Sequence, residues 1–405
     1  MTFGPAARPS APKTTTRSIV FLAFAGFASQ AQVRVTDSLL PQIAADLDTS
    51  VGLASIVVTG YVIAHGSTQL LIGPIGDRFG KYLTITVMAS TAATFVILCS
   101  LTQSLGELAA ARFLAGASAG WVIPLSMAYV GDVTPYERRQ PVLGRYLSGQ
   151  IVGQLFGQAA GGVLGDLLGW RNVFLLLGGL FALAAAGLVF EFVTNPRTRI
   201  PTRPDETSHG FVADYRAVLS SAWARTVILA VFVESAIMWG AFAYVGADLH
   251  QRFALRFTVI GAVVATFGVG GLLYAASVQQ LVVAFGQRGL AAGGGILCGA
   301  GYLILTFGFA WWLAPAAVTM IGLGFYALHN TLQTNATQMT PQARGTAVAI
   351  FSSAIYLGQS AGVALGAIAF DRLGPAPLFG TPAVVLPLLG WWLARELVRR
   401  HFQIS

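Results

Sequence analysis

Charge is what this 405-residue chain has least of: Asp, Glu, Lys and Arg together make up 10% of it, against about 25% in an ordinary soluble domain. A chain so poor in charge cannot cover a soluble enzyme, and its high apolar content excludes a disordered chain. It also lacks the dense basic patches with which a nucleic-acid binder meets phosphates. Two cysteines, Cys99 and Cys298, are too few for a disulfide framework. The five histidines are scattered, with no spacing that would hold a metal. No nucleophile elbow and no phosphate-binding loop occurs, so neither catalysis nor a bound cofactor is expected.

Hydrophobic residues are what remains, 55% of the chain. They fall into continuous apolar runs of the length that a bilayer-crossing helix needs, roughly 20 residues. We expect spans near 18–40, 51–72, 81–101, 107–131, 141–165, 171–193, 224–246, 257–284, 289–309, 311–338, 343–369 and 376–398. The runs do not alternate in polarity, so helices are expected rather than barrel strands. Turns are expected at Gly76–Lys81 and Thr134–Arg145, which gather glycine, proline and charge. The fold class is therefore an all-α membrane protein of twelve helices in two pseudo-symmetric six-helix bundles. Its parts are a tail at 1–17, bundles at 18–193 and 224–398, a polar linker at 194–223 and a second tail at 399–405. Within the linker, Phe211–Ser221 has the pattern of a short amphipathic helix on the membrane surface.

The basic residues fix an orientation. Of 24 Lys and Arg, 18 lie at one face of the twelve-span arrangement. The opposite face holds Arg171, Arg252, Arg256 and Arg372, and Arg34 and Arg112 fall within spans. Under the positive-inside rule both termini are cytoplasmic. The start of the chain, with Arg8, Lys13 and Arg17 before a long apolar run, is read as a cytoplasmic tail rather than a cleaved signal.

The halves repeat each other. Gly157-Gln158-x-Ala160-Gly161-x-x-Leu164-Gly165 returns as Gly358-Gln359-x-Ala361-Gly362-x-x-Leu365-Gly366, 201 residues later. Thr134-Pro135-x-x-Arg138 returns as Thr340-Pro341-x-x-Arg344. A parallel repeat of six spans is the architecture of a transporter that rocks about a mid-membrane site.

Between spans 2 and 3 lies Gly73-Pro74-Ile75-Gly76-Asp77-Arg78-Phe79-Gly80-Lys81. This segment resembles the signature loop of the major facilitator superfamily, and the chain's length, span count, linker and repeat are similar as well. The resemblance implies alternating access, no enzymatic activity, and a gate in which Asp77 and Arg78 latch to the start of span 11 near Gly345, joined by Asp132 and Arg138. The alternative is that Arg78 and Lys81 only anchor the topology. The second half's Gly286-Gln287-Arg288-Gly289 has no Asp, so the latch is asymmetric. In span 4, Arg112-x-x-x-Gly116-x-x-x-Gly120 resembles a motif of proton-coupled members, in which the arginine is tied to coupling. In span 5, Gly153-x-x-x-Gly157-Gln158-x-x-Gly161-Gly162 resembles the antiporter motif of the drug-efflux branch, with Gln158 where that pattern has proline. Its glycines, with Gly358 and Gly362 in the second half, are read as helix-packing positions, and those of span 5 as a contact with span 8.

Ionisable residues inside the bilayer are costly and point to function. Asp37 lies four residues before Pro41 and Arg112 five after Glu107, so the two share a depth and an Asp37–Arg112 pair is expected. The alternative is a local pair of Asp37 with Arg34, three residues away on the same helix face. Glu234 sits among apolar residues of span 7, a candidate proton carrier or partner for a cationic solute, or else a neutral hydrogen-bonded carboxyl. Arg34, His65 and Gln69, the stripe Gln150, Gln154 and Gln158, and Tyr326, Asn330 and Gln333 are expected to line the cavity, although such amides also join helices.

With no ATPase segment, pumping must draw on an ion gradient. We expect a proton-coupled exporter of a small organic solute in a bacterial inner membrane, monomeric, its partners being the solute and lipid and not nucleic acid. A proton-coupled importer or an uncoupled facilitator of a small, even anionic, metabolite is the first alternative. A receptor or scaffold on the same fold that moves nothing is the second.

Overall fold

The computed structural model describes residues 16–134, 136–199, 211–340 and 343–404, apart from the side chains of 16, 73, 74, 77, 136–141, 211 and 401–404. Eleven helices among the described residues are long and apolar enough to cross a membrane. One of them, Phe257–Phe307, breaks at Gly286, whose φ of 61° no ordinary helix contains. Counting it as two gives twelve spans. Spans 1 to 7 are Arg17–Asp46, Val51–Gln69, Lys81–Cys99, Leu105–Val133, Val142–Leu168, Trp170–Thr194 and Ala222–Phe253. Spans 8 and 9 are 257–285 and 287–307, and spans 10 to 12 are Trp311–Ala336, Arg344–Leu373 and Pro375–Arg400.

Several expected turns are shorter than the sequence suggests. Ile72–Phe79 is helical, and the break before span 3 is confined to Gly80 at φ 89°. Helix resumes at Tyr136, so Thr134–Arg145 is mostly helix as well. Pro41 lies inside span 1, which runs on to Asp46. The linker helix spans Phe211–Ser220 and packs on spans 7 and 11. Its Tyr215 hydroxyl donates to Leu70 O at 2.8 Å, reaching back to span 2, and burial pushes this phenol above its ordinary range.

Packing follows the repeat. Span 1 lies on 5, 2 on 4 and 3 on 6; in the second half 7 lies on 11, 8 on 10 and 9 on 12. Glycine rows set the closest approaches. A Cβ on Gly157, Gly161 or Gly165 would overlap Ala31, Val35 or Leu39 of span 1. A Cβ on Gly358, Gly362 or Gly366 would overlap Phe232, Ala236 or Gly240 of span 7. Both members of each contact are displaced by 201 residues, the offset of the sequence repeat. Gly153 meets Phe27 in the same row, and in span 4 Gly116 and Gly120 meet the Tyr61 and His65 carbonyls of span 2. Helix association in a bilayer relies on such contacts, because lipid offers no hydrophobic drive between helices. Gly153, Gly157 and Gly161 of the span-5 motif therefore face span 1, and the expected close packing on span 8 rests on the motif's last glycine. Span 8 is met by the next glycine, Gly162, backbone to backbone with Gly261.

The halves touch along spans 2 and 11 and along spans 5 and 8. Residues 31–41 of span 1 and 238–249 of span 7 are all buried. Towards the basic face, Gln279 and Gln280 of span 8 and Gln333 and Thr334 of span 10 are exposed. The molecule is thus closed on the face opposite the basic one.

Candidate functional site

Two buried carboxyls with basic partners sit on spans 1 and 7, one paired within span 1 and one reaching span 10. On span 1, Arg34 Nη1 donates to Asp37 Oδ2 at 3.3 Å, both residues 2% exposed. The three-residue spacing puts them on one helix face, so the pair forms within a single turn. Asp37 Oδ1 has no partner among the described residues. Across the junction, the Arg34 guanidinium lies over the Trp239 ring of span 7, 3.4 Å from its centroid, a cation–π contact in a dry setting.

On span 7, Glu234 is 1% exposed. Its Oε2 is 2.8 Å from His329 Nδ1 of span 10, while Oε1 has no partner among the described residues. His329 stacks on Phe325 at 4.8 Å and is half-buried, next to the exposed polar end of span 10. Trp239, Phe242, Phe267, Phe325 and Tyr326 continue this wall with ring contacts of 5.1–5.9 Å. The pair thus joins an apolar interior to the more open side through an imidazole. His329's link to Glu234 spans 95 residues, which sequence spacing could not reveal.

The expected Asp37–Arg112 pair is absent. The depth count started at Pro41, which does not end the helix, and Arg34 on the same turn takes the carboxylate. Arg112, fully buried, donates instead to Val57 O at 3.3 Å, Gln32 Oε1 at 3.3 Å and Gln32 O at 3.1 Å. Its guanidinium lies 4.0 Å from the Tyr61 ring. No carboxylate pairs with it among the described residues; neutral oxygens disperse the charge.

The other polar positions divide. His65 is buried, 4.4 Å ring to ring from Tyr356 of span 11. Gln69, Gln150 and Gln158 are buried with amide atoms that find no partner among the described residues. Gln154, Tyr326 and Asn330 are half-buried and Gln333 is exposed.

At the basic face, Gly73, Gly76, Asp77 and Arg78 lie in the short helix before Gly80. The side chains of Asp77 and Arg138 lie outside the described residues. Arg78 is exposed, and Lys81 Nζ donates to Asp132 at 2.5 Å. Asp132 is therefore engaged within the first half rather than with span 11, and a Cβ on Gly345 would meet open space.

The family model described as Major Facilitator Superfamily matches residues 22–363. The uncharacterized MFS-type transporter YceJ of Bacillus subtilis is 25% identical over 342 residues, 82% of this chain and 84% of that protein. The efflux pump radE of Floropilus chiversii is 28% identical over 161 residues, 39% of this chain and 30% of that protein. Among solved structures, the POT family transporter PepTSo superposes with a TM-score of 0.76 at 15% identity, covering 97% of this chain and 99% of that one.

Proposed function

The chain belongs to the major facilitator superfamily and is a secondary transporter rather than an enzyme, and from this premise we propose that it exports a small organic solute in exchange for protons. The basic face is the cytoplasmic one, both termini lie there, and the membrane is the bacterial inner membrane. The observation that carries the reading is the pair of buried carboxyls, each against a basic partner, on the paired spans 1 and 7. Glu234 carries the proton, and His329 relays it to the open side. Arg34 and Asp37 form the second, charge-balanced element, and the aromatic wall around Trp239 receives the apolar body of the solute. Gln154, Asn330 and Gln333 supply its polar contacts. The relatives named as efflux pumps favour export. The arginine of span 4 acts by holding spans 1, 2 and 4 together rather than by pairing with Asp37. The protein works as a monomer, and its cytoplasmic latch at Asp77 and Arg78 engages when the opposite face opens.

A second reading, uptake of an anionic solute, is favoured by Arg112, a buried cation with no carboxylate partner among the described residues. Accumulation in proteoliposomes under an imposed proton gradient separates the two: exchange for protons gathers solute on the proton-rich side, coupled uptake gathers it on the other, and an uncoupled path gathers it on neither. Export requires the gradient to drive accumulation against the proton flow, whereas equal accumulation with and without the gradient rejects coupling.

Replacing Asp37 by asparagine is expected to leave Arg34 buried without its counter-charge. Breaking a buried pair from one side costs about 3 kcal/mol or more, so thermal unfolding should shift down and transport should fall. Arg34→Gln together with Asp37→Asn should regain most of the stability and none of the gradient-driven transport. Full transport by the double variant would remove this pair from the mechanism.

A further inference from the structure

Two carboxylates away from the central site cross from one half of the molecule to the other. At the end of span 11, Asp371 accepts the backbone N–H of Gly52 at 3.0 Å and the hydroxyl of Ser50, at the start of span 2. At the end of span 5, Asp166 accepts the N–H of Thr258 at 3.4 Å and its hydroxyl, at the start of span 8. Arg256 Nε lies 3.7 Å from the same Asp166 oxygen. Ser50 and Arg256 are the N-cap residues of their helices, so each aspartate reaches the second residue of a helix that the opposite half supplies. An unpaired N–H at a helix start is a strong site for a carboxylate.

The sequence repeats the device. Asp166-Leu167-Leu168-Gly169 and Asp371-Arg372-Leu373-Gly374 share one pattern, and both glycines have positive φ, 78° and 83°. Each helix ends at a glycine whose positive φ a side chain would strain, with its aspartate one turn before the end. The third instance of Asp-x-x-Gly, Asp77-Arg78-Phe79-Gly80, has Gly80 at φ 89° and lies on the opposite, basic face.

We propose that Asp166 and Asp371 are a matched pair of positioning residues that hold the outer face shut: each caps the start of a helix of the other half, and both caps must break for that face to open. The contacts sit at the rim of the region where spans 1 and 7 are wholly buried, so they are broken by the rocking that would uncover it. The device needs no particular solute, and its test does not need the proposed transport direction.

The test uses purified protein in detergent with Cys99 and Cys298 replaced by alanine. One reporter is Ser38→Cys, buried on span 1 against Gly161 and near Gly246. The other is Thr334→Cys, exposed on the basic side. Maleimide alkylation of each is timed with and without Asp166→Ala plus Asp371→Ala. Losing two caps is expected to speed labelling of Ser38→Cys about tenfold and to slow that of Thr334→Cys. Asn at both positions keeps a cap acceptor and should restore much of the wild-type rate. If the double alanine variant does not fold, Ser50→Ala with Thr258→Val removes the hydroxyl half of each cap and is read in the same way, with a smaller shift. Unchanged labelling of Ser38→Cys in folded variants overturns the proposal. So does faster labelling at both reporters, which marks loosening rather than a change of state, or a failure of Asn to rescue.

Discussion

Glu234→Gln is expected to reduce gradient-driven transport roughly 100-fold, the scale on which a positioned proton donor or acceptor contributes, while the protein stays folded. Glutamine keeps the length and planarity of the side chain, and its carbonyl can accept from His329 where the Glu234 carboxyl now lies 2.8 Å away. The partnerless Oε1 position becomes an amide, which costs no more than one altered hydrogen bond, about 1 kcal/mol. What glutamine cannot do is take up and release a proton. Gradient-driven accumulation should therefore vanish while solute binding, read by thermal shift, and gradient-free exchange persist. His329→Gln should give a milder loss, because it removes the relay and leaves the carrier. A large fall in thermal stability of Glu234→Gln would mean that the carboxyl is structural, and undiminished accumulation would move the proton elsewhere.

The largest expected effect on stability is at Gly362. A Cβ there would overlap the carbonyl and Cα of Ala236 on span 7. The obstacle is helix backbone, which cannot rotate aside as a side chain could. Gly362→Ala must push spans 7 and 11 apart along the whole row that Gly358 and Gly366 share, and overpacking of this kind costs about 3 kcal/mol. Gly345→Ala, at the start of the same helix, meets nothing within 4 Å and should be neutral or slightly stabilising, since alanine outranks glycine in a helix by about 1 kcal/mol. Thermal unfolding of the two variants side by side separates contact from propensity. Equal midpoints would show that the glycine row does not set the helix spacing.

Much of the fold was legible because the bilayer imposes length and polarity on every span. The repeat was legible too, since Gly157 and Gly358 must both clear a facing backbone. The ends of elements were harder. Pro41 and Gly286 look alike as punctuation, yet the proline rides inside span 1 and the glycine alone turns span 8 into span 9. The pairing of charges was partly legible. Asp37 with Arg34 is a local contact that spacing exposes. Glu234 with His329, and Arg34 over Trp239, are contacts between distant segments whose only signal is that an isolated buried acid needs a partner. Arg112 misled for a physical reason: a guanidinium has five donors, and three neutral oxygens engage one on each of its nitrogens, so its burial did not require a carboxylate.

The central claim, that a buried acid exchanges protons for solute between two related bundles, is tested most directly by counting both fluxes at once. Proteoliposomes carrying an internal pH dye are loaded with a solute found by thermal-shift screening, and solute and proton movement are recorded together. The account predicts that solute leaving one side is matched by protons entering from the other, and that the proton signal disappears in Glu234→Gln. Solute movement with no accompanying proton signal at any pH, in protein that transports fully, would contradict it.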